Sequence, residues 1–70
     1  MNFNELNAEI ARNGLSIPKL ASLIGISKKA MYARMRGNVD FSQSEIVKIS
    51  DVLHLNNDRI LSIFFADKVS

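Results

Sequence analysis

Residues 16–37 read Ser16-Ile-Pro-Lys-Leu-Ala-Ser-Leu-Ile-Gly-Ile-Ser-Lys-Lys-Ala-Met-Tyr-Ala-Arg-Met-Arg-Gly37. Leu20, Leu23 and Ile24 recur at helical spacing and give one apolar stripe. Ser16 stands as an N-cap, and Pro18 falls in the first turn, where amides have no intrahelical acceptor. Gly25-Ile26 then makes a turn that a Cβ would oppose, and Ser27 caps a further helix that ends at Gly37. Ala21 is small where the two helices must pass closely. The stretch therefore predicts two short helices meeting at a tight turn, the second loaded with cations.

The flanking segments extend the same pattern. Asn2 or Asn4 opens a first helix with Phe3, Leu6 and Ile10 on one face, and Asn13-Gly14 stops it. Asn2 and Glu5 have capping-box spacing. Ser42-Gln-Ser-Glu45 is a capping box for a fourth helix whose apolar side is Ile46, Ile49 and Leu53. Phe41, just before that cap, is expected to staple onto Ile46 or a neighbour. Asn56 or Asn57 caps a fifth helix, with Asp58 favourable in its positive first turn. No segment of four or more residues alternates as a strand would, so the expected fold is all-α, a compact five-helix domain.

Seventy residues without cysteine make one small domain, and neither disulfides nor thiolate metal sites can support its core. The start lacks the basic and apolar regions of a signal peptide, and the longest apolar run, Ile63 to Ala66, is too short to span a bilayer. A cytoplasmic protein with no membrane association is expected. Charge is distributed unevenly. Arg12, Lys19, Lys28, Lys29, Arg34 and Arg36 lie between Ile10 and Val39 with no acid among them, a local balance of +6. The remainder holds three cations against seven acids, a balance of −4. A basic patch coinciding with a helix pair is the electrostatic footprint of a nucleic-acid binder.

Leu20-Ala21-x-x-Ile24-Gly25-Ile26-Ser27, followed by Met31 and Gly37, resembles the helix-turn-helix of the phage repressor/Cro-like (XRE) family. Tyr32-x-x-Met35-x-Gly37 and Phe41-Ser42-x-x-Glu45-Ile46 look like a branch of short phage and prophage regulators. The resemblance covers essentially the whole chain. It implies a lambda-repressor-like domain over residues 1–70, with the motif at about 16–37. It also implies a transcriptional repressor that occupies an operator in double-stranded DNA, its third helix in the major groove. By motif, the base-facing positions map onto Ser27, Lys28, Lys29, Tyr32 and Ala33, with Arg36 toward the backbone-contacting end. The motif's first position, often a phosphate-binding Gln in the family, is Ile17 here.

Helical geometry reaches the same face independently. At about 100° per residue, with Lys28 at 0°, Tyr32 lies near 40°, Arg36 near 80°, Lys29 near 100° and Ala33 near 140°. Met31 and Met35 fall near 300° and 340° on the core side, and Arg34 near 240° intrudes on that side. Relatives commonly carry Ile or Leu where Arg34 stands. Its stem is expected to pack while its guanidinium reaches solvent, a phosphate or Asp40. Lys28 and Lys29 suit guanine edges or phosphates, and Tyr32 a phosphate or a thymine methyl. Arg36 and Lys19 suit phosphates, and Arg34 joins the DNA-contacting set.

Basic residues on a helix usually form only a solvated face; their coincidence with the turn motif is what favours DNA. His54, alone near a helix end, suits terminal carbonyls better than a metal. No carboxylate pairing, phosphate loop, metal spacing or activated nucleophile is present, so neither enzymatic activity nor any cofactor or small-molecule ligand is expected. On the fifth helix, about 56–66, the apolar arc spans about 200° by the same geometry, wider than one core stripe needs. Leu61, Phe64 and Phe65 are thus expected at a homodimer interface; the other arrangement has the tail, residues 66–70, folded over the rings. The alternative function is a helical protein-interaction module that keeps the scaffold without specific DNA binding.

Overall fold

Each helix starts at a side-chain cap. In the computed structural model, which describes residues 1–66, the Asn2 side chain accepts from the Glu5 amide, Ser16 from Lys19, Ser27 from Ala30, Ser42 from Glu45 and Asn56 from Arg59. These caps open α1 (Phe3–Arg12), α2 (Ile17–Ile24), α3 (Lys28–Met35), α4 (Gln43–Leu53) and α5 (Asn57–Phe64). The described residues are all-helical and contain no strand, and no helix is long and apolar enough to cross a membrane. The tail arrangement expected for residues 66–70 lies, beyond Ala66, outside the described residues.

The first four helices end at a left-handed residue, Gly14, Gly25, Gly37 and His54 respectively. After α2, the Ile26 amide reaches back to the Ala21 carbonyl at 3.0 Å while Gly25 sits at φ 81°. After α3, Asn38 reaches Ala33 at 3.0 Å and Gly37 reaches Arg34 at 3.0 Å, with Gly37 at φ 80°. Both satisfy orphan carbonyls by the paired bonds that require a left-handed residue just beyond the helix. Helix α4 closes the same way without glycine. There His54 adopts φ 57°, and its backbone amide, not its ring, meets the Asp51 carbonyl.

The core lies between these helices. Leu6, Leu20, Met31, Ile49 and Ile63 are fully buried, and Ile10, Ala21, Ile24 and Leu53 nearly so. Phe41, set before the α4 cap, meets Phe64 edge-to-face with ring centres 5.7 Å apart. Phe64 is thereby 8 % exposed and belongs to this chain's own core, which corrects its expected place on a partner-facing surface. Leu61, at 48 %, is the exposed apolar side chain of α5, while Phe65 is half-buried. Leu23 departs from its stripe too, at 48 % exposure. On α2, Leu20, Ile24 and Ala21 occupy an arc from about 0° to 100°, and Leu23 lies about 60° beyond its edge.

Two ion-pair clusters tie distant elements. Arg59 on α5 reaches Glu5 at 2.8 Å and Glu9 at 3.0 Å on α1, beside the Asn2 amide, which donates to the Ile63 carbonyl at 2.7 Å. Arg34 on α3 meets Glu45 on α4 at 2.8 Å. The Arg59 hydrogen bond and charge hold the Glu5 carboxyl below its usual 4.5, and the Arg34 hydrogen bond does the same for Glu45. A carboxyl with a depressed folded value stabilises the fold fully above its unfolded value. That contribution is lost as pH falls through the folded one.

Two outcomes are expected. Stability measured by chemical denaturation should decline on acidification below about pH 4.5, and an Arg59→Met variant should be weaker at pH 7 but converge with the native chain near pH 2. His54→Gly should raise the thermal midpoint by about 2–8 °C, because it removes a strained left-handed side chain whose contribution is about 0.5–1 kcal/mol net of glycine's entropy.

Candidate functional site

The cations divide into two groups. Arg12 pairs with Glu9, Arg59 with Glu5 and Glu9, and Arg34 with Glu45. Among the described residues Lys19, Lys28, Lys29, Arg36 and Lys48 make no ion pair, and all five are exposed. Four of these belong to the α2–α3 region. Two of the six cations in the basic stretch are thus neutralised internally, and the remainder are concentrated on one helix and its approach.

Helix α3 places them by an economical arrangement. Met31 alone among its eight residues is fully buried, docked into the core beside α2. That orients the opposite side outward: Lys28, Lys29 and Arg36 are exposed, and Tyr32 and Ala33 are half-buried at its margin. Ser27 is exposed, and its Oγ accepts from the Ala30 amide at 3.0 Å, leaving the hydroxyl proton for a ligand. Lys19 is exposed in the first turn of α2. Helical geometry sets Lys28, Lys29, Tyr32, Ala33 and Arg36 on one side of α3, Ser27 stands at its start, and Lys19 is exposed on the preceding helix. Their chemistry is that of anion recognition: three ammonium groups, a guanidinium and two hydroxyls, with the small side chain of Ala33 among them.

The electrostatics of the helix starts are unequal. Helices α1, α4 and α5 carry Glu5, Glu45 and Asp58 in their first turns, as the helix dipole favours. Helices α2 and α3 carry no acid there. Lys28 and Lys29 instead stand at the positive end of α3, and Lys19 at that of α2. Each cation so placed costs about 0.3–1 kcal/mol. The fold keeps this repulsion uncompensated where it compensates every other helix start.

Arg34 lies apart from this surface. Its side chain is 18 % exposed, and its Nε and Nη2 donate to the two Glu45 oxygens at 2.8 and 3.2 Å. Its Nη1 donates to the Ala30 carbonyl at 3.0 Å. The acid that receives it is Glu45 and not Asp40, and the same Glu45 Oε1 also accepts from the Ser42 amide at 3.0 Å. Glu45 and Ser42 are residues the sequence reading did not connect to α3. The available signal was an arginine on the core side of one helix followed by a capping-box carboxylate in the next.

Compared with known proteins, the chain matches no family model, and neither a curated protein nor a solved structure is significantly similar to it.

Proposed function

We propose that this chain is a sequence-specific double-stranded-DNA-binding transcriptional regulator of the helix-turn-helix class. Helices α2 and α3 form the motif, and α3 enters the major groove as in the phage repressor/Cro-like family that the sequence resembles. The observation that carries the reading is the uncompensated positive start of α3, with Lys28 and Lys29 exposed where a carboxylate would stabilise the helix. A local rule broken without a compensating contact marks a site kept for a ligand, and here that ligand is polyanionic.

In this reading Ser27, Lys28, Lys29, Tyr32 and Ala33 face base edges. Lys28 and Lys29 donate to guanine acceptors, and Ala33 admits a thymine methyl. Arg36 and Lys19 grip phosphates on either side and fix the docking angle. The chain would act as a repressor by occupying an operator. Leu61 and the outer part of Phe65 could join two copies, but two side chains fall far below the roughly 800 Å² that each side of a stable pair buries. The reading therefore assigns pairing to adjacent copies on one duplex, with half-sites about 34–36 Å apart.

Selection from a random duplex library tests the class. The native chain should enrich a defined sequence, and a Lys28/Lys29/Arg36 variant neutralised at all three positions should enrich none. Neutralising Arg36 alone should weaken all duplexes alike and reduce the log–log salt slope by about 0.9, whereas Lys28, Lys29 or Tyr32 variants should change the preferred sequence. Lys28→Glu should stabilise the free protein by about 0.5–2 kcal/mol, since it removes one unfavourable charge and adds a favourable one, while abolishing binding. No enrichment by the native chain at low salt would overturn the reading in favour of a protein-interaction module.

A further inference from the structure

The start of α3 is well fastened. Ser27 caps it, Met31 is buried in the core, and the turn at Gly25 joins it to α2. Its last turn lacks such burial. Met35 is only partly buried, Arg36 is exposed, and residues 36–40 beyond it are exposed without exception. Besides the apolar packing of Met35, what ties the last turn to another element is the Arg34–Glu45 pair.

That pair is a continuous chain of bonds. It runs from the Ala30 carbonyl through Arg34 to both Glu45 oxygens, and from Glu45 to the Ser42 amide. Ser42 closes the loop by accepting from the Glu45 amide at 3.2 Å. The planar guanidinium fits a carboxylate two-pronged, which fixes direction as well as distance. Both side chains are largely buried, at 18 % and 13 % exposure, so the bonds are little screened by water. Arg34 also sits about 160° around the helix from Tyr32, by helical geometry, and thus away from the outward surface.

We infer that Arg34 is a positioning residue for the recognition surface rather than one of its ligands: it fastens the last turn of α3 to the first turn of α4 and so sets the helix angle at which Lys28, Tyr32 and Arg36 are presented. The inference rests on the proposed DNA reading for its functional readout. It removes Arg34 from the DNA-contacting set that the sequence suggested and gives its charge to Glu45.

Three variants separate the two roles, measured against the duplex enriched in selection and a shuffled duplex of equal length. Positioning requires the two-pronged fork, so Arg34→Lys and Arg34→Met should both lower the ratio of specific to non-specific affinity, by roughly 5- to 100-fold, the range a misplaced bidentate base contact spans. The salt slope should stay unchanged in both. Glu45→Gln keeps an acceptor for the Ser42 amide yet loosens Arg34, so it should lower the same ratio. A phosphate role predicts the reverse. Arg34→Lys would then bind as the native chain does, Arg34→Met would lose about 0.9 of slope, and Glu45→Gln would bind more tightly by freeing a cation. Any of these three would overturn the inference.

Amide hydrogen exchange on the free protein provides a readout independent of DNA. Residues 33–38 should exchange faster in Arg34→Lys and Glu45→Gln while α2 keeps its protection. Unchanged exchange in residues 33–38 would overturn the inference. If the native chain ignored every duplex, the DNA reading would fail alone, and the exchange pattern would still decide whether Arg34 anchors α3.

Discussion

Among the described residues no helix exceeds eleven residues, and three of the five have eight. Isolated helices shorter than about 12–15 residues are marginal in water, so none of these segments can hold its shape alone. Their stability comes from the ends and from shared burial, and the two are coupled. A capped start fixes the direction of the first turn. In the first four helices, a left-handed residue at the end fixes where the chain leaves. Between two such fixed ends a single buried side chain, such as Met31 in α3, is enough to set the rotation of a whole helix.

This explains which parts of the structure were legible in sequence. The caps were, because Ser, Asn and Gly act through local backbone chemistry that depends little on tertiary contacts: Ser16, Ser27 and Ser42 cap as their spacing indicates, and Asn2 and Asn56 are the caps out of the two asparagines that each stretch offered. The core positions Leu6, Ile10, Leu20, Ile24, Met31, Ile49 and Leu53 follow from helical periodicity for the same reason. What periodicity could not resolve is which edge of a stripe faces a neighbour. Leu23 and Phe64 both sit at stripe margins. The first faces outward and the second inward, because Phe41 arrives from the α3–α4 connection to meet it. The partners of Arg34 and Arg59, eleven and at least fifty residues away respectively, depend on the packing of helices and carry no local signature. His54 was expected to meet terminal carbonyls as a side chain, whereas it closes α4 through its backbone conformation and amide.

The candidate site was legible to the extent that exposure follows from the wheel. Lys28, Lys29 and Arg36 are exposed and Met31 is buried, as the geometry of a helix with one core-facing side requires. Counting charges was less informative than pairing them. The basic stretch has six cations, yet Arg12 and Arg34 are bound to Glu9 and Glu45. Formal charge therefore overstates the field that an approaching ligand meets, and the unpaired set describes it better.

The paired and unpaired cations nonetheless serve one arrangement. Lys28 and Lys29 hold like charges close together at the start of α3, and such repulsion tends to splay the element that carries it. Helix α3 has little buried area to resist this, with one fully buried residue and a lysine pair at its positive end. Arg34 is the same kind of residue as its neighbour Arg36, two positions away, but it is turned to the opposite task. Its charge is matched by Glu45, so it contributes little to the outward field. Had position 34 been aliphatic, the last turn would rest on a small patch of apolar contact with no fixed direction. A bidentate ion pair supplies that direction, and at the desolvated edge of a small core it does so in few atoms.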